Sequence, residues 1–549
     1  MKVIQERIDG IIFELDTAIE GYSLSEADQY LADLSGLDLR KELLKRKTTN
    51  PNSTPLIAVV CQYHEKLRKD RNSHYALTDV LTKRALEKAK QLEAKITPEN
   101  AEDYPLYGFV LSLKESIKMK GYMSTLGMVC HMITCKTETP FIDYLERKGA
   151  VILSRGNVPQ MLFAMESWNN IYGAVSNPWN KDRTAGGSTG GDAALIALGH
   201  VNGGFGSDAA GSLRIPALFC GVYAISMTSQ RINLSAHAMF LEGLDAFSKL
   251  PDSQYQFRGN IGPMARCVDD LYVLTKVLVE NYKDQPRIPP VPWKINLPPV
   301  KKVGILVEWD NIFELTEVNR RAIKMARSSL TRAGIETVEI DMRPYIRDLV
   351  QTVGSLFYQN RALKVAMTGK VDLKEPVLPV YKMFRLMMIL PTSARQIMRY
   401  TMRDNKSKIF LEAFHQSQYY NSQYFGRKLN GYKQMLVEQM KEAGVETIVC
   451  PGMMPAIPKY TSNRTNIWAM YMFIFNGLKF PSGALPITRV QKDEQFYKSK
   501  FNFDFEKAIQ QATEGSEGLP VGVQVASTSW NEEKILQLMK IIETDVKFK

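Results

Sequence analysis

The sequence predicts an α/β fold built around one β-sheet, and three observations support this. From Tyr107 onward, short apolar runs typical of strands, FVLSL and AVILSR, are separated by glycine-rich turns. The run KKVGILVEW is followed by a helical pattern at 317–334, which continues the alternation of strand and helix. The segments ETIVCPGM and GLPVGVQVAS near the end resemble buried strands. We therefore expect a single sheet assembled from distant segments.

The other segments are predicted to be helical or extended. Residues 1–100 are rich in Leu, Lys, Glu and Ala at helical spacing, most clearly over 78–96, and form a helical amino-terminal lead-in. Residues 285–300 contain the repeated prolines of an extended connector. Residues 376–444 return to a helical pattern. We expect one α/β unit that continues beyond the connector.

The composition excludes several classes of protein. Of the 549 residues, 45% are apolar, which is enough for an extensive core. Lys and Arg (70) exceed Asp and Glu (58), but the net charge of +12 is spread along the chain, which predicts no nucleic-acid partner. The six cysteines lie far apart without a CxxC pair, a pattern that fits a reducing compartment and neither a disulfide framework nor a zinc site.

Membrane-directing segments are not evident. The amino terminus MKVIQERIDGIIFELD mixes acidic and basic residues and has no apolar stretch of signal-peptide length. No stretch approaches the roughly 18 apolar residues needed to span a bilayer. The sequence therefore predicts a protein that is soluble or bound peripherally to a membrane.

The segment 185–221 contains the residues best suited to catalysis. Ser188 and Ser212 stand among small residues, in GGSTGG and GSDAAGS. Glycine permits backbone conformations barred to other residues, so a hydroxyl and several amide N–H groups can converge on one point. Such convergence is what acyl transfer requires.

Two other interpretations of this segment are disfavoured. Residues 186–190 match the GxSxG nucleophile elbow, but the preceding VSNPWNKDRT is a polar loop where an elbow needs a buried strand. The elbow also needs a histidine base, and His415 lies in a basic, surface-like helical stretch. GFGSDA resembles a dinucleotide fingerprint, but Asp208 stands where a pyrophosphate needs bare amides.

Lys114 is the candidate base for the serine pair. It follows the apolar run YGFVLSL, where burial is expected. Lowering the pKa of a buried lysine from about 10.4 to near 7 costs roughly 4–5 kcal/mol, so this placement suggests a neutral base. Taken alone, Lys114 could equally form a salt bridge with Glu115 or lie at the surface, but the two serines favour the base.

Five motifs in a fixed order resemble those of the amidase signature enzymes and, among them, of the fatty-acid amide hydrolases. They are YGFVLSLKES, GNVPQMLF, the GGSTGG to GSDAAGSLRIPALFCG segment, IGPMARCVDDL and GLPVGVQV. The resemblance covers about residues 70–545, and its two serines are 24 positions apart as in that family. It implies the amidase signature fold, a large twisted mixed β-sheet surrounded by many α-helices, with the catalytic domain at 101–549.

The resemblance also implies a role for each site residue. Lys114 would be the base, Ser188 the proton relay on a cis peptide bond, and Ser212 the nucleophile that forms an acyl-enzyme. Asp208 and Arg214 would pair and fix the loop. The mechanism needs no metal and no organic cofactor. The oxyanion hole would consist of the backbone N–H groups of Ala209, Ala210, Gly211 and Ser212.

One departure from the family pattern bears on activity. Ala210 replaces a glycine, and if the position required a positive φ, alanine would cost about 1 kcal/mol and distort the hole. An inactive relative that binds lipid through the same pocket is therefore one alternative. The other is an amidase of small or aryl amides, or an amidotransferase-like subunit.

The resemblance implies a lipid amide as the substrate. Leu162 and Phe163 would belong to the acyl site, although ordinary core packing is an equal alternative for such residues. Residues 376–405 mix apolar and basic side chains as an interfacial helical cap would, at the place where the resembled enzymes bind membranes. We therefore expect peripheral membrane contact at the cytoplasmic face. The resemblance also suggests a homodimer.

Overall fold

An eleven-stranded mixed sheet forms the centre of the computed structural model. The model describes residues 2–17, 19, 26–229, 231–232, 259–281, 289–359, 375–401 and 405–548. The described strands in chain order are β1 Leu77–Val80, β2 Val110–Lys114, β3 Met123–Ser124, β4 Ile133–Thr134, β5 Val151–Gly156, β6 Trp168–Asn169, β7 Gly173–Ala174, β8 Gly203–Asp208, β9 Tyr223–Ser226, β10 Asn260–Ala265, β11 Lys302–Leu306, β12 Glu336–Ile340, β13 Thr447–Pro451, β14 Ser482–Arg489 and β15 Pro520–Ser527. Strands β3 and β4 pair with each other outside the main sheet, as do β6 and β7.

Helices surround this sheet. They are α1 Lys2–Thr17, α2 Gly36–Thr49, α3 Pro55–His74, α4 Thr82–Lys95, α5 Pro140–Arg147, α6 Gly190–Ala197, α7 Arg214–Cys220, α8 Val268–Glu280, α9 Glu317–Arg332, α10 Ile346–Tyr358, α11 Pro379–Ile389, α12 Thr392–Thr401, α13 Asn405–Tyr419, α14 Ser422–Glu442, α15 Ser462–Thr465, α16 Met470–Gly477, α17 Asp504–Thr513 and α18 Glu532–Val546.

The sheet order is β1-β5-β2-β8-β10-β9-β14-β15-β13-β11-β12, which joins segments far apart in the chain. Strand β2 runs parallel to both β5 and β8, whereas β13 and β14 run antiparallel to β15. Every residue of β2 is buried, as expected for a strand covered by helices on both faces. The predicted α/β fold with one large mixed sheet surrounded by helices is confirmed, as are the strands predicted near both ends of the region.

Helix α9 illustrates how the sequence pattern produces a helix that covers the sheet. Thr316 caps it by accepting a hydrogen bond from the Asn319 N–H through its side chain. Val318, Ala322 and Leu330 are buried at helical spacing, while the opposite face is charged. The helix therefore packs its apolar stripe against β13, β14 and β15.

The first hundred residues pack directly on the sheet. Besides helices they contribute β1, which pairs antiparallel with β5. A fully buried ion pair joins Lys47 Nζ of α2 to Glu93 Oε2 of α4 at 3.0 Å, and the Tyr107 hydroxyl donates to the same carboxylate at 3.1 Å. Leu15 of α1 also belongs to the main apolar core.

Helices α11 and α12 occupy the predicted cap at 376–405, of which residues 402–404 lie outside the described ranges. Leu386, Ile389 and Ile397 are exposed, as is Tyr400. Arg395 is instead buried, with its guanidinium 5.3 Å from the Phe414 ring centroid. Among the described helices, none combines the length and the apolar content required to cross a membrane.

Candidate active site

A cavity of about 160 Å³ lies where the glycine-rich segment meets α10, α13 and α16. It brings together most of the site residues predicted from the sequence. Its lining residues are Leu126, Met161, Leu162, Phe163, Ala164, Met165, Gly187, Ser188, Ser207, Ala209, Ala210, Ser212, Ile215, Gly354, Phe357, Tyr358, Phe410, Asn466, Ala469 and Phe473.

Lys114 lies behind Ser188 at the end of β2 and is fully buried. Its Nζ donates hydrogen bonds to Ser188 Oγ at 2.7 Å and to Ser207 Oγ at 2.9 Å. The Ser207 carbonyl oxygen lies 3.3 Å from the same atom. The sequence reasoning missed Ser207, although its place immediately before Asp208 in the same motif could have indicated it.

Burial dominates the electrostatics of Lys114. It lowers the pKa of the ammonium group from 10.5 to about 7, against the opposing charges of Asp192, Asp208 and Glu115. In a substantial fraction of the molecules the Lys114 amine is therefore neutral near pH 7. Such an amine can accept a proton, whereas an ordinary surface lysine cannot at this pH.

Ser188 precedes helix α6, and the Gly187–Ser188 peptide bond is cis. A Cβ at Gly187 would meet the Ala164 carbonyl oxygen at 2.6 Å, so this close approach requires glycine. The Thr189 N–H donates to the Ser212 carbonyl oxygen at 3.1 Å and ties the two serine segments together. In the described stretch 175–189 no strand leads into Ser188, which disfavours the nucleophile elbow.

The backbone of the loop before Ser212 shows whether Ala210 occupies a position that requires a positive φ. Gly211 has φ +104°, whereas Ala210 is not among the residues with positive φ, so alanine causes no backbone strain there. The N–H of Gly211 donates to Asp208 Oδ1 at 2.7 Å, and Gly211 does not line the cavity within the described chain. Of the four predicted oxyanion-hole residues, Ala209, Ala210 and Ser212 therefore face the cavity and Gly211 does not.

Asp208 and Arg214 form the expected pair and are fully buried. The Nε of Arg214 donates to Asp208 Oδ2 at 3.0 Å, and Nη2 donates to Oδ1 at 3.1 Å. Burial would raise the pKa of Asp208, but the Arg214 charge and the hydrogen bonds hold it below its usual value. Asn476 and Gln524 also bind this pair, which fixes the loop to α16 and β15.

The predicted acyl-site residues line the apolar wall of the cavity. Met161 and Leu162 adopt φ values of +60° and +62°, which β-carbon-bearing residues rarely adopt. The Met161 N–H donates to the Leu126 carbonyl oxygen at 2.8 Å and holds this turn in place. The rings of Phe163 and Phe357 meet edge to face at 5.6 Å.

A metal site was not predicted, and the described residues contain no group of three or more His, Cys, Asp or Glu side chains placed to hold a metal ion. The polar groups that line the cavity are hydroxyls, backbone amides and the Asn466 side chain, and the Lys114 amine lies behind Ser188. This donor set fits nucleophilic acyl transfer.

Comparisons with known proteins bear on the family of this chain. The amidase family model matches residues 58–536. The chain is 27% identical over 453 residues to fatty-acid amide hydrolase 1 of Sus scrofa, covering 80% of this chain and 75% of that protein. It is 28% identical over 458 residues to fatty acid amide hydrolase 1 of Caenorhabditis elegans, covering 80% and 77%.

The fold of this chain is also similar to that of a solved structure. A solved structure of a fatty acid amide hydrolase has a TM-score of 0.75 to this chain at 20% identity, covering 99% of this chain and 90% of that one. The family model spans most of the sequence, from α3 to α18. The chain therefore belongs to the amidase family and is an amide hydrolase.

Proposed function

We propose that this amidase cleaves fatty-acid amides through an acyl-enzyme on Ser212. The observation that carries the proposal is the cavity, whose lining is mostly apolar apart from the serines Ser188, Ser207 and Ser212 and the side chain of Asn466. Phe357, Phe410 and Phe473 would cover an alkyl chain while the scissile amide lies at the serines. The names of the two relatives above support the same substrate class.

The proposed mechanism moves a proton along Ser212, Ser188 and Lys114 and then back. The neutral amine accepts the Ser188 proton across the 2.7 Å contact, and Ser188 accepts the Ser212 proton as Ser212 Oγ attacks the carbonyl carbon. The proton then returns to the leaving nitrogen, so the C–N bond breaks and the amine or ammonia departs. Water attacks the acyl-enzyme by the same route and releases the free acid.

The oxyanion of the tetrahedral intermediate would form beside the nucleophile. The backbone N–H groups of Ala209, Ala210 and Ser212 belong to the cavity-lining loop and are the proposed donors. Such donors contribute about 3–4 kcal/mol each in known cases. The Asp208–Arg214 pair would hold this loop rigid, because Arg214 donates to the Met472 carbonyl oxygen and Asp208 Oδ1 accepts from the Asn476 side chain.

Chain-length selectivity tests the substrate proposal. We expect wild-type protein to have a higher kcat/KM for a long-chain primary amide than for a short-chain one. Phe163→Ala should lower the long-chain value by about tenfold, because it removes apolar contact area, and should change the short-chain value little. Phe496→Ala, a truncation outside the cavity, should change neither value. A preference for the short amide would assign the chain to small amides instead.

We also propose that α11 and α12 contact membranes. Ile389, Ile397 and Tyr400 expose apolar surface next to the exposed cations Lys382 and Arg385. Apolar side chains that insert between lipids, together with lysine and arginine near anionic headgroups, describe an interfacial helix pair.

Liposome flotation tests this contact. Wild-type protein should float with anionic vesicles, and Ile397→Glu should reduce the bound fraction severalfold because a carboxylate resists insertion. Ile295→Glu is the matched control, since Ile295 is 77% exposed and Ile397 65% exposed, and Ile295 does not belong to either helix. Absence of wild-type binding, or equal losses in both variants, would contradict the proposed contact.

A further inference from the structure

Three buried carboxyl groups act on the amine of Lys114. They belong to Asp192, Asp208 and Glu115, and all three side chains are fully buried. Their fields oppose the effect of burial, because a negative charge nearby stabilises the ammonium form. The three carboxyls differ in how far other groups neutralise them.

Two of the carboxyls are already engaged. Asp208 forms a two-point ion pair with Arg214. Both oxygens of Glu115 accept backbone hydrogen bonds, one from the Thr125 N–H and the other from the Leu126 N–H at 3.1 Å. The Arg155 charge also acts on Glu115. Neither carboxyl is therefore left to interact with Lys114 alone.

Asp192 differs from the other two. Its Oδ1 accepts a hydrogen bond from Ser112 Oγ at 2.6 Å. Its Oδ2 is buried and has no hydrogen-bond partner among the described residues. Leaving a buried polar atom without a hydrogen-bond partner reduces the stability of the fold by about 1–3 kcal/mol. An unpaired carboxylate oxygen near the proposed catalytic amine therefore suggests a functional role.

The backbone leaves a space for this carboxyl beside the base. Ser112 and Lys114 are two residues apart on β2 and so point to the same face of the sheet. Gly156 of β5 is the pairing partner of Lys114, and a Cβ at Gly156 would overlap Asp192 Oδ2. The Gly191 N–H donates to the Asn157 carbonyl oxygen at 3.0 Å, which holds the first turn of α6 against this edge.

We propose that Asp192 is a positioning residue that sets the protonation of Lys114, and thereby the pH at which the base becomes active. The proposal rests on Lys114 being the base of the proposed function. Burial alone would leave a neutral but weak base, and a partly compensating carboxylate restores basicity near neutral pH.

The neighbouring charges support this assignment. Ser112 and Lys114 on β2 face Asp192, and the Arg155 charge on β5 also acts on it. Asp208 on β8 and Glu115 act on the same amine. Burial raises the pKa of Asp192 to about 7, against the Ser112 hydrogen bond and the Lys114 charge. The carboxyl and the amine therefore change charge in the same pH range and titrate as one unit.

The pH dependence of kcat/KM for Asp192→Asn tests the proposal. Asparagine keeps an oxygen that accepts the Ser112 hydrogen bond but removes the charge that stabilises the ammonium form. The acidic limb of the profile should move to lower pH by about one unit, since a nearby opposite charge shifts a pKa by 1–3 units. A merely structural role would lower the melting temperature without moving the limb.

Asp270→Asn is the matched control. Asp270 is likewise a buried aspartate in the first turn of a helix, α8, where it accepts the N–H groups of Gly36 and Leu37. This variant should lose stability while keeping the wild-type limb. If the acidic limb of the kcat/KM profile lies at the same pH in wild type, Asp192→Asn and Asp270→Asn, the proposal is overturned.

Two further variants separate the possible failures. Ser112→Ala keeps the carboxyl but removes the hydrogen bond that favours its charged form, so its limb should move in the same direction by less. It provides the test if Asp192→Asn does not fold. If Lys114→Ala keeps the wild-type rate and limb, the proposed base is wrong. If Lys114→Ala loses activity while Asp192→Asn and Ser112→Ala keep the wild-type limb, only the role of Asp192 fails.

Discussion

Lys114→Ala is expected to lower kcat/KM for amide hydrolysis by about 10³-fold, within the range that a positioned acid–base group contributes. The amine is the group that accepts the Ser188 proton, and alanine cannot do so. The loss should be greater for an amide than for the matching ester, because an amine leaves only after protonation whereas an alkoxide leaves more readily. Parallel assays of an amide and an ester of one acyl chain measure this difference.

The pH profile of the wild-type protein provides the control for this interpretation. The pKa of Lys114 is lowered to about 7, so kcat/KM should fall as the pH decreases below about 7 and the amine becomes protonated. The residual activity of Lys114→Ala should lack this dependence. Wild-type rates in the variant would exclude Lys114 as the base.

Arg214→Met is expected to reduce the free energy of unfolding by about 3–5 kcal/mol, because it leaves the Asp208 carboxylate buried without its partner. Asp208 accepts the Gly211 and Leu213 N–H groups, so the same change should disturb the loop on both sides of Ser212. Chemical denaturation measures the stability, and amidase assays under native conditions measure the effect on the loop.

An exposed ion pair of the same chemistry is the control. Arg332 pairs with Asp545, and its side chain is 61% exposed. Arg332→Met should change the unfolding free energy far less than Arg214→Met, since exposed pairs are screened by solvent. Equal losses in the two variants would mean that the buried pair is not the source of the loop's rigidity.

Much of the fold follows from local patterns. Runs such as FVLSL and GLPVGVQV are mostly apolar, and they form strands covered on both faces. Glycines around Ser188 indicated close backbone approach, and Gly187 does pack against a neighbouring carbonyl. These features depend on residue type and short-range spacing, which a single sequence displays.

Other parts of the site depend on contacts between distant segments. Asn476 and Gln524, which hold the Asp208–Arg214 pair, are more than 250 residues away from it in the chain. Asp192 lies in a run of small residues, where an aspartate on a helix would be expected to be exposed. The packing of α6 on the sheet, including β2, buries it near Lys114. The hydrogen bond from the Gly211 N–H to Asp208 Oδ1 likewise depends on the conformation of the Asp208 side chain. Residue type alone does not specify that conformation.

Ser212 is the proposed nucleophile of this amidase site, and covalent labelling with a fluorophosphonate tests that assignment. Peptide mass spectrometry of labelled wild-type protein should locate the phosphonyl group on Ser212, and Ser212→Ala should take up none while remaining folded. Slower labelling of Ser212 in Lys114→Ala would agree with loss of the base. Labelling of Ser188 instead, or no labelling of folded wild-type protein, would exclude Ser212 as the nucleophile.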